Sequence, residues 1–174
     1  MRLTPVMQRY IVHWGEMGSR WGMNRSVAQI HALLYLSPEG LHADEIAETL
    51  GIARSNASVG LKELLGWNLV QITHSLGDRR DFFLAQHDPW EVIRVIIEGR
   101  KRREIDPTVT VLRECVAQLK SDSETPTAVR ERLAAQLEFL ETVTSWYDSI
   151  KTLPRKTLLK MMRLGHRIAK VIGD

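Results

Sequence analysis

Residues 43–66 decide the fold of this chain, and they read ADEIAETLGIARSNASVGLKELLG. Apolar residues at helical spacing predict a short helix that ends at Leu50. Gly51 follows directly, at a position where a left-handed backbone costs little. A second helix is expected from about Ala53 to Gly66. The side chains expected to face inward are Ile46, Ala47 and Leu50 on the first helix and Ala57, Leu61, Leu64 and Leu65 on the second. A short helix, a glycine turn and a longer helix together predict a helix-turn-helix.

The outward face of the second helix is short, polar and cationic. It presents Arg54, Ser55, Asn56, Ser58, Val59 and Lys62. Such hydrogen-bonding side chains, flanked by two cations, can approach a phosphate backbone and reach base edges. The alternative is an ordinary solvated face, which would more often carry interspersed acids, whereas here no acid occurs before Glu63. The pattern therefore favours a DNA-reading helix.

Two short segments after this helix predict a β-hairpin with a basic tip. Val70–Thr73 alternates apolar and polar residues, and residues 81–84 do so less regularly, with a Gly77-Asp78 turn between them. A hairpin in this place is the wing of a winged-helix domain. The paired Arg79 and Arg80 suit a narrow minor groove or adjacent phosphates. Alternatively, Asp78 or Asp81 pairs with one arginine as a structural brace. Both can hold, with one arginine bracing and the other contacting DNA.

The remaining segments are expected to be helical. Over residues 5–21, large side chains form a stripe that either packs on its own domain or makes a dimer seam: Met7, Tyr10, Trp14, Met17 and Trp21. A helix over 26–36 and a very short strand at Leu41-His42 are expected next. The expected helix starts in residues 88–174 are Asp88-Pro89, Asp106-Pro107, Thr125-Pro126 and, for a last helix to about Val171, Leu153-Pro154.

These elements predict a mainly α protein with a small β component (α+β). Its architecture is expected to be a winged helix-turn-helix with a small β-hairpin wing plus N- and C-terminal dimerisation helices. The N-terminal helix, a dimer contact, would take residues 1–22. The DNA-binding winged helix-turn-helix would take residues 23–87, and a C-terminal helical region for dimerisation and effector binding would take residues 88–174.

Composition and charge exclude several classes of protein. The 174 residues are 44% hydrophobic and 26% charged, values that exclude disordered and collagen-like chains. The net charge of +3 excludes a polybasic tail protein, and residues 43–85 carry four cations against six acids, a balance of −2. One cysteine, scattered histidines and the lack of catalytic or metal-binding motifs predict a non-enzyme without cofactor or metal. Without an expected signal peptide or membrane span, a soluble cytoplasmic location is expected.

Residues 46–70 resemble the winged-helix core of MarR-type transcription regulators and are most similar to the GbsR-like branch. The resemblance extends over residues 5–104 and is carried by several short motifs. These are Arg25-Ser26, the recognition-helix residues Ser58, Leu61, Lys62, Glu63 and Leu64, the exit Trp67-Asn68-Leu69-Val70, and the wing Gly77-Asp78-Arg79-Arg80. Three residues depart from the family pattern. His42 stands where Ser or Thr commonly caps a helix, Ala57 replaces a commoner Val, and Gly66 replaces a usual Glu or Lys.

The resemblance implies a homodimer that binds a pseudo-palindromic double-stranded DNA operator, commonly as a repressor. Some relatives of this kind sense osmolyte precursors such as choline. The residues expected to contact DNA are Arg25, Arg54, Ser55, Asn56, Ser58, Lys62, Arg79 and Arg80. A winged-helix module for protein interaction without DNA binding remains the alternative, because residues 43–85 have a negative balance.

Aromatic residues are the weak candidates for binding a small-molecule effector. Trp21, Trp90, Trp146 and Tyr147 could wall a cavity, and aromatic walls can hold quaternary ammonium ions. Packing in the core or in a dimer interface is the simpler interpretation of each one.

Overall fold

A computed structural model describes the backbone of residues 1–172 and the side-chain surroundings of residues 1–165. The chain divides into two compact units, residues 1–101 and the residues from 102 onward. The first unit contains α1 (Pro5–Arg20), α2 (Arg25–Leu36), α3 (Ala43–Leu50), α4 (Arg54–Gly66) and α5 (Pro89–Arg100), with the strands β1 (Leu41–His42), β2 (Val70–Thr73) and β3 (Phe82–Ala85).

Helix α2 is the centre of the first unit. Seven of its residues are buried: Val27, Ala28, Ile30, His31, Ala32, Leu33 and Leu34. Helix α1 packs closely on α2, because a Cβ atom on Gly15 would lie 2.6 Å from the Gln29 side chain. Tyr10 and Trp14 pack against the same core, so this part of the aromatic stripe is used within its own unit.

The helix-turn-helix and the wing are confirmed. Gly51, between α3 and α4, has a φ of 64°, and Asn68 after α4 has a φ of 58°, so both take the left-handed conformation that the turn chemistry predicts. The three strands form an antiparallel sheet in the order β1-β3-β2, with Leu41 opposite Phe83 and Ile72 opposite Phe83 on its other side. The sheet therefore ties the wing to the segment that starts α3.

Helix α6 begins at Asp106, as expected, but the expected N-cap at Asp106 is wrong, because Ile105 stands at that position. The backbone stays helical from α5 through a π turn, Lys101–Ile105, into α6 (Asp106–Gln118), and the N-cap residue Ile105 supplies no side-chain cap. Pro107 lacks an N–H, and its ring would meet the carbonyl four residues earlier in an α-helix. A wider π turn relieves that conflict, so the proline is accommodated without a break.

The second unit holds α6, α7 (Thr127–Ile150) and α8 (Arg155–Ile172). Helices α6 and α7 pack together, and Arg113 on α6 donates to Glu141 on α7 at 2.6 Å. The expected cap at Thr125 is wrong, because Pro126 is the N-cap of α7 and no side chain caps this end. The Thr125 hydroxyl donates instead to Asp122. That bond, with the Glu124 and Thr125 backbone amides, lowers the pKa of Asp122.

Candidate nucleic-acid interface

The first turn of α4 is open to solvent. Arg54, Ser55 and Asn56 are all exposed, while Ala57 behind them is fully buried. Ala53 is the N-cap of α4, and it makes no side-chain hydrogen bond to the first turn, since alanine has no acceptor. The amide groups at this helix end therefore face outward without a side-chain cap, an arrangement that suits an anion.

A cavity of about 330 Å³ lies between α3, α4 and the wing. Four of the expected DNA-contacting residues line it: Arg54, Ser58, Lys62 and Arg80. The other polar lining residues are His42, Asp44 and Asp81, and its apolar lining is Ala43, Leu61, Leu65, Ile72 and Phe83. The structure thus brings the outer face of α4 and the wing around one concave surface.

Arg80 is the bracing arginine of the wing. Its Nε donates to both carboxylate oxygens of Asp78 at 3.0 Å, and its backbone N–H donates to Asp78 Oδ1 at 3.0 Å. These bonds hold the pKa of Asp78 at about 2, and the Asp78 carboxylate raises the pKa of Arg80. The guanidinium also lies 5.6 Å from the centre of the Phe82 ring and contacts His42. Asp78 is therefore the bracing acid, whereas Asp81 lies 3.4 Å from His74.

The remaining cations differ in how they are held. Arg54 forms an exposed ion pair with Asp44 across the turn between α3 and α4. Lys62 and Arg79 are exposed, and neither has an ion-pair partner within the residues that the structure describes. Arg25 is exposed at the first position of α2, whose N-cap is Asn24, and it does not line the cavity. Arg79 is thus the wing arginine that is available to a ligand.

Three residues of this surface were not among the expected contacts. The sequence identifies Ala53 only as the start of α4 and His42 only as a departure from the family pattern, and it gives no signal for Asp44. A signal for Ala53 exists in the sequence, because no Ser, Thr, Asp or Asn stands directly before Arg54. The contacts of Asp44 and His42 depend on how α3, α4 and the wing pack.

The aromatic candidates for an effector site fall into both units. Trp21, half-exposed, contacts Trp14 edge to face, and Trp90 is half-buried at the start of α5. Trp146 is exposed and Tyr147 half-buried on α7 of the second unit. Their role in ligand binding stays a prediction.

No described helix combines the length and the apolar character needed to cross a membrane.

Comparisons with known proteins agree with this geometry. Residues 21–81 match the model of the MarR family. The chain is 26% identical over 136 residues to the HTH-type transcriptional repressor GbsR of Bacillus subtilis (strain 168), with 76% of this chain and 75% of that protein covered. A crystal structure described as a transcriptional regulator has the same fold, with a TM-score of 0.62 and 16% identity over 83% of this chain and 95% of that one. The expected resemblance to GbsR-like MarR-type regulators is confirmed.

Proposed function

We propose that this chain, whose residues 21–81 form a MarR-type winged helix, is a sequence-specific transcriptional regulator that binds double-stranded DNA as a homodimer. Its similarity to a GbsR repressor favours repression over activation. The observation that carries the proposal is the exposed face of α4, which meets the wing around one cavity lined by Arg54, Lys62 and Arg80. Helix α4 would enter the major groove, and the wing would lie at the adjacent minor groove.

The eight expected contacts divide by chemistry. Ser55, Asn56 and Ser58 have the donors and acceptors that read base edges. Arg54, Lys62 and Arg25 suit phosphates, together with the uncapped amides at the start of α4. Arg79 suits the minor groove, and Arg80 holds the wing in shape through Asp78. The negative balance of residues 43–85 does not oppose this division, because three of the six acids lie on the supporting helix α3: Asp44, Glu45 and Glu48.

The test is the salt dependence of binding to a duplex from the DNA upstream of the protein's own gene. Each phosphate contact should add about −0.9 to the slope of log K against log salt. Asn56→Ala should weaken operator binding by about fivefold or more, and Lys62→Ala should reduce the slope by about one. The matched control is Arg9→Ala, which removes an exposed arginine from α1, away from the proposed face.

Two outcomes would overturn this assignment. A flat salt dependence would favour the alternative of a winged-helix module for protein interaction. Equal binding by the wild-type protein and by Asn56→Ala, Lys62→Ala and Arg79→Ala with Arg80→Ala would show that another face binds DNA. For repression, deletion of the gene should raise transcription from the bound promoter, and a fall would indicate activation.

The other partners are part of the same proposal. A two-fold dimer would place two recognition helices in half-sites about 34 Å apart. The protein would act in the cytoplasm and without enzymatic activity. Binding of a small-molecule effector near its tryptophans would change their fluorescence. Fluorescence of Trp21, Trp90 and Trp146, titrated with choline, betaine and unrelated solutes, would test the effector. A response shared by all solutes would count against a specific site.

A further inference from the structure

We propose that His42 is a positioning residue that fixes the wing against the helix-turn-helix by holding Arg80. This role rests on the proposed DNA binding, because the wing matters only if it contacts DNA. His42 ends β1 and caps α3, so it belongs to the helix-turn-helix while it lies beside the wing strand β3. Its side chain is only 12% exposed. Its imidazole ring packs edge-on against Phe82, with ring centres 5.7 Å apart.

The two ring nitrogens of His42 serve different elements. Nδ1 lies 3.4 Å from the Glu45 backbone N–H, the bond that would cap α3. Nε2 lies 2.7 Å from Nη1 of Arg80 on the wing. Two acids of α3 also face the ring, since Asp44 lies 3.8 Å from Nδ1 and Glu45 lies 3.3 Å from Nε2.

A neutral imidazole has only one acceptor nitrogen, so it cannot accept from Glu45 and from Arg80 at once. The distance of 2.7 Å to Arg80 is that of a good hydrogen bond, whereas 3.4 Å to the Glu45 amide is long. The lone pair therefore lies on Nε2 and accepts from Arg80. The hydrogen then lies on Nδ1, on the side of Asp44. His42 then gives up the long bond from the Glu45 amide in order to hold the wing. It keeps the other half of the capping box, because its backbone N–H donates to the Glu45 carboxylate at 3.1 Å.

This contact completes a chain of polar groups across the DNA-facing surface. Arg54 on α4 pairs with Asp44, Asp44 lies beside His42, His42 contacts Arg80, and Arg80 is held by Asp78. A serine or threonine at position 42 would cap α3 but is too short to reach Arg80. The departure from the family pattern at this position therefore has a structural consequence that is specific to this chain.

Two substitutions of His42 test the roles of its two ring nitrogens individually. In His42→Asn, the amide oxygen stands near the position of Nδ1, so it can cap α3 but cannot reach Arg80. In His42→Gln, the amide oxygen stands near the position of Nε2, so it can still accept from Arg80. We expect His42→Gln to bind the upstream duplex within about twofold of the wild type and His42→Asn to bind about fivefold more weakly, the loss expected for one hydrogen bond. The Tm should follow the opposite order, with His42→Asn the more stable variant.

A double-mutant cycle with Arg80→Ala tests whether the effect passes through that arginine. His42→Asn should weaken binding no further in the Arg80→Ala background, and it should keep its full effect in the matched Arg79→Ala background. In the free protein, amide hydrogen exchange of residues 74–81 should be faster in His42→Asn than in His42→Gln.

The outcomes separate this inference from the proposed function. Binding that depends on Asn56 and Lys62 but is the same for His42→Asn and His42→Gln would overturn the role of His42 alone. Affinities that simply follow Tm would also overturn it, because His42 would then act only through the stability of α3. If the wild-type protein showed no salt-dependent DNA binding, the proposed function would fail, and this role would fail with it.

Discussion

At the scale of single residues, His31 is the buried group with the clearest chemical consequence. It is 3% exposed on α2, between Trp14 and Tyr35, and its Nε2 has no hydrogen-bond partner within the described residues. Burial lowers the pKa of His31 from 6.5 to about 4, because the charged ring cannot keep its water. The folded protein therefore holds this ring neutral under conditions in which the unfolded chain protonates it.

The stability of the protein should therefore fall as pH decreases from about 6.5 to 4. The unfolded chain takes up the proton of His31 first, so unfolding is favoured below pH 6.5, and the effect levels off near pH 4. The full effect is roughly 3 kcal/mol. His31→Phe should flatten this part of the profile of unfolding free energy in urea. His13→Gln, the removal of an exposed histidine on α1, should leave the slope unchanged. An equal slope in His31→Phe would contradict the assignment.

If Arg54 binds a phosphate as proposed, Asp44 should compete with DNA for it. Both side chains are more than half exposed, so their ion pair contributes little to stability but occupies the guanidinium in the free protein. Asp44→Asn should raise affinity for the upstream duplex by about two- to fivefold. Glu48→Gln makes the same charge change at an exposed position of α3 and is the matched control. Equal gains in both variants would show a general charge effect without release of Arg54.

The roles of the two arginines in the wing could be predicted from the sequence only in part. The sequence predicts the hairpin and its basic tip, and it allows one arginine to brace the wing while the other contacts DNA. It does not reveal which arginine braces, because Arg79 and Arg80 are adjacent in sequence on the same hairpin tip. The choice depends on tertiary neighbours, since His42 and Phe82 stand beside Arg80.

At the scale of elements, substitutions at the uncapped N-terminus of α4 should affect the stability of the protein and its DNA binding differently. Ala53→Ser and Ala53→Asp should each stabilise the protein by about 1 kcal/mol, because both supply an N-cap acceptor. Ala53→Asp should also weaken DNA binding, by roughly tenfold, because its carboxylate would take the place of a phosphate and repel others. Thermal unfolding and DNA titration of the two variants test this pair. If the serine variant loses as much affinity as the aspartate variant, sterics or cap geometry would be responsible and the phosphate role would be wrong.

The elements that could be predicted are those whose ends are determined by the conformational preference of a single residue. Gly51 and Asn68 take left-handed conformations that few other residues adopt, so they mark the ends of α3 and α4 from sequence alone. An X-Pro pair is a weaker signal, because a proline is tolerated both at a helix start and after a π turn. Asp88 does cap α5 through the Trp90 amide, whereas Asp106 lies inside a continuing helix.

At the scale of the whole molecule, the net charge is a poor indicator of a DNA partner. The positions of the individual charged side chains are a better one. The chain carries +3, and the segment that would read DNA is negative. Three acids of that segment lie on α3 and Asp78 pairs with Arg80, while Lys62 and Arg79 stay exposed. The sequence alone does not show which of its charges are paired, so the candidate site could be located from sequence but its free cations could not.

The last prediction concerns helix α7 and the proposed homodimer. None of its 24 residues is buried, and Phe139 and Trp146 are 65% and 60% exposed, with Val143 between them at helical spacing. An apolar stripe of this kind is rarely left in water, and a second copy of the chain would cover it. Phe139→Lys with Trp146→Lys should therefore convert the dimer to a monomer in sedimentation equilibrium.

The same double variant should lose DNA affinity by about a hundredfold or more, because the second half-site would no longer be bound intramolecularly. Its Tm at low protein concentration should stay close to that of the wild-type monomer, since both side chains are exposed. The matched control is Ala134→Lys with Ser145→Lys, which adds the same charge at exposed positions on another face of α7. A Phe139 and Trp146 variant that remained dimeric would place the interface elsewhere, with the exposed face of α1 around Val6 and Val12 as the next surface to change.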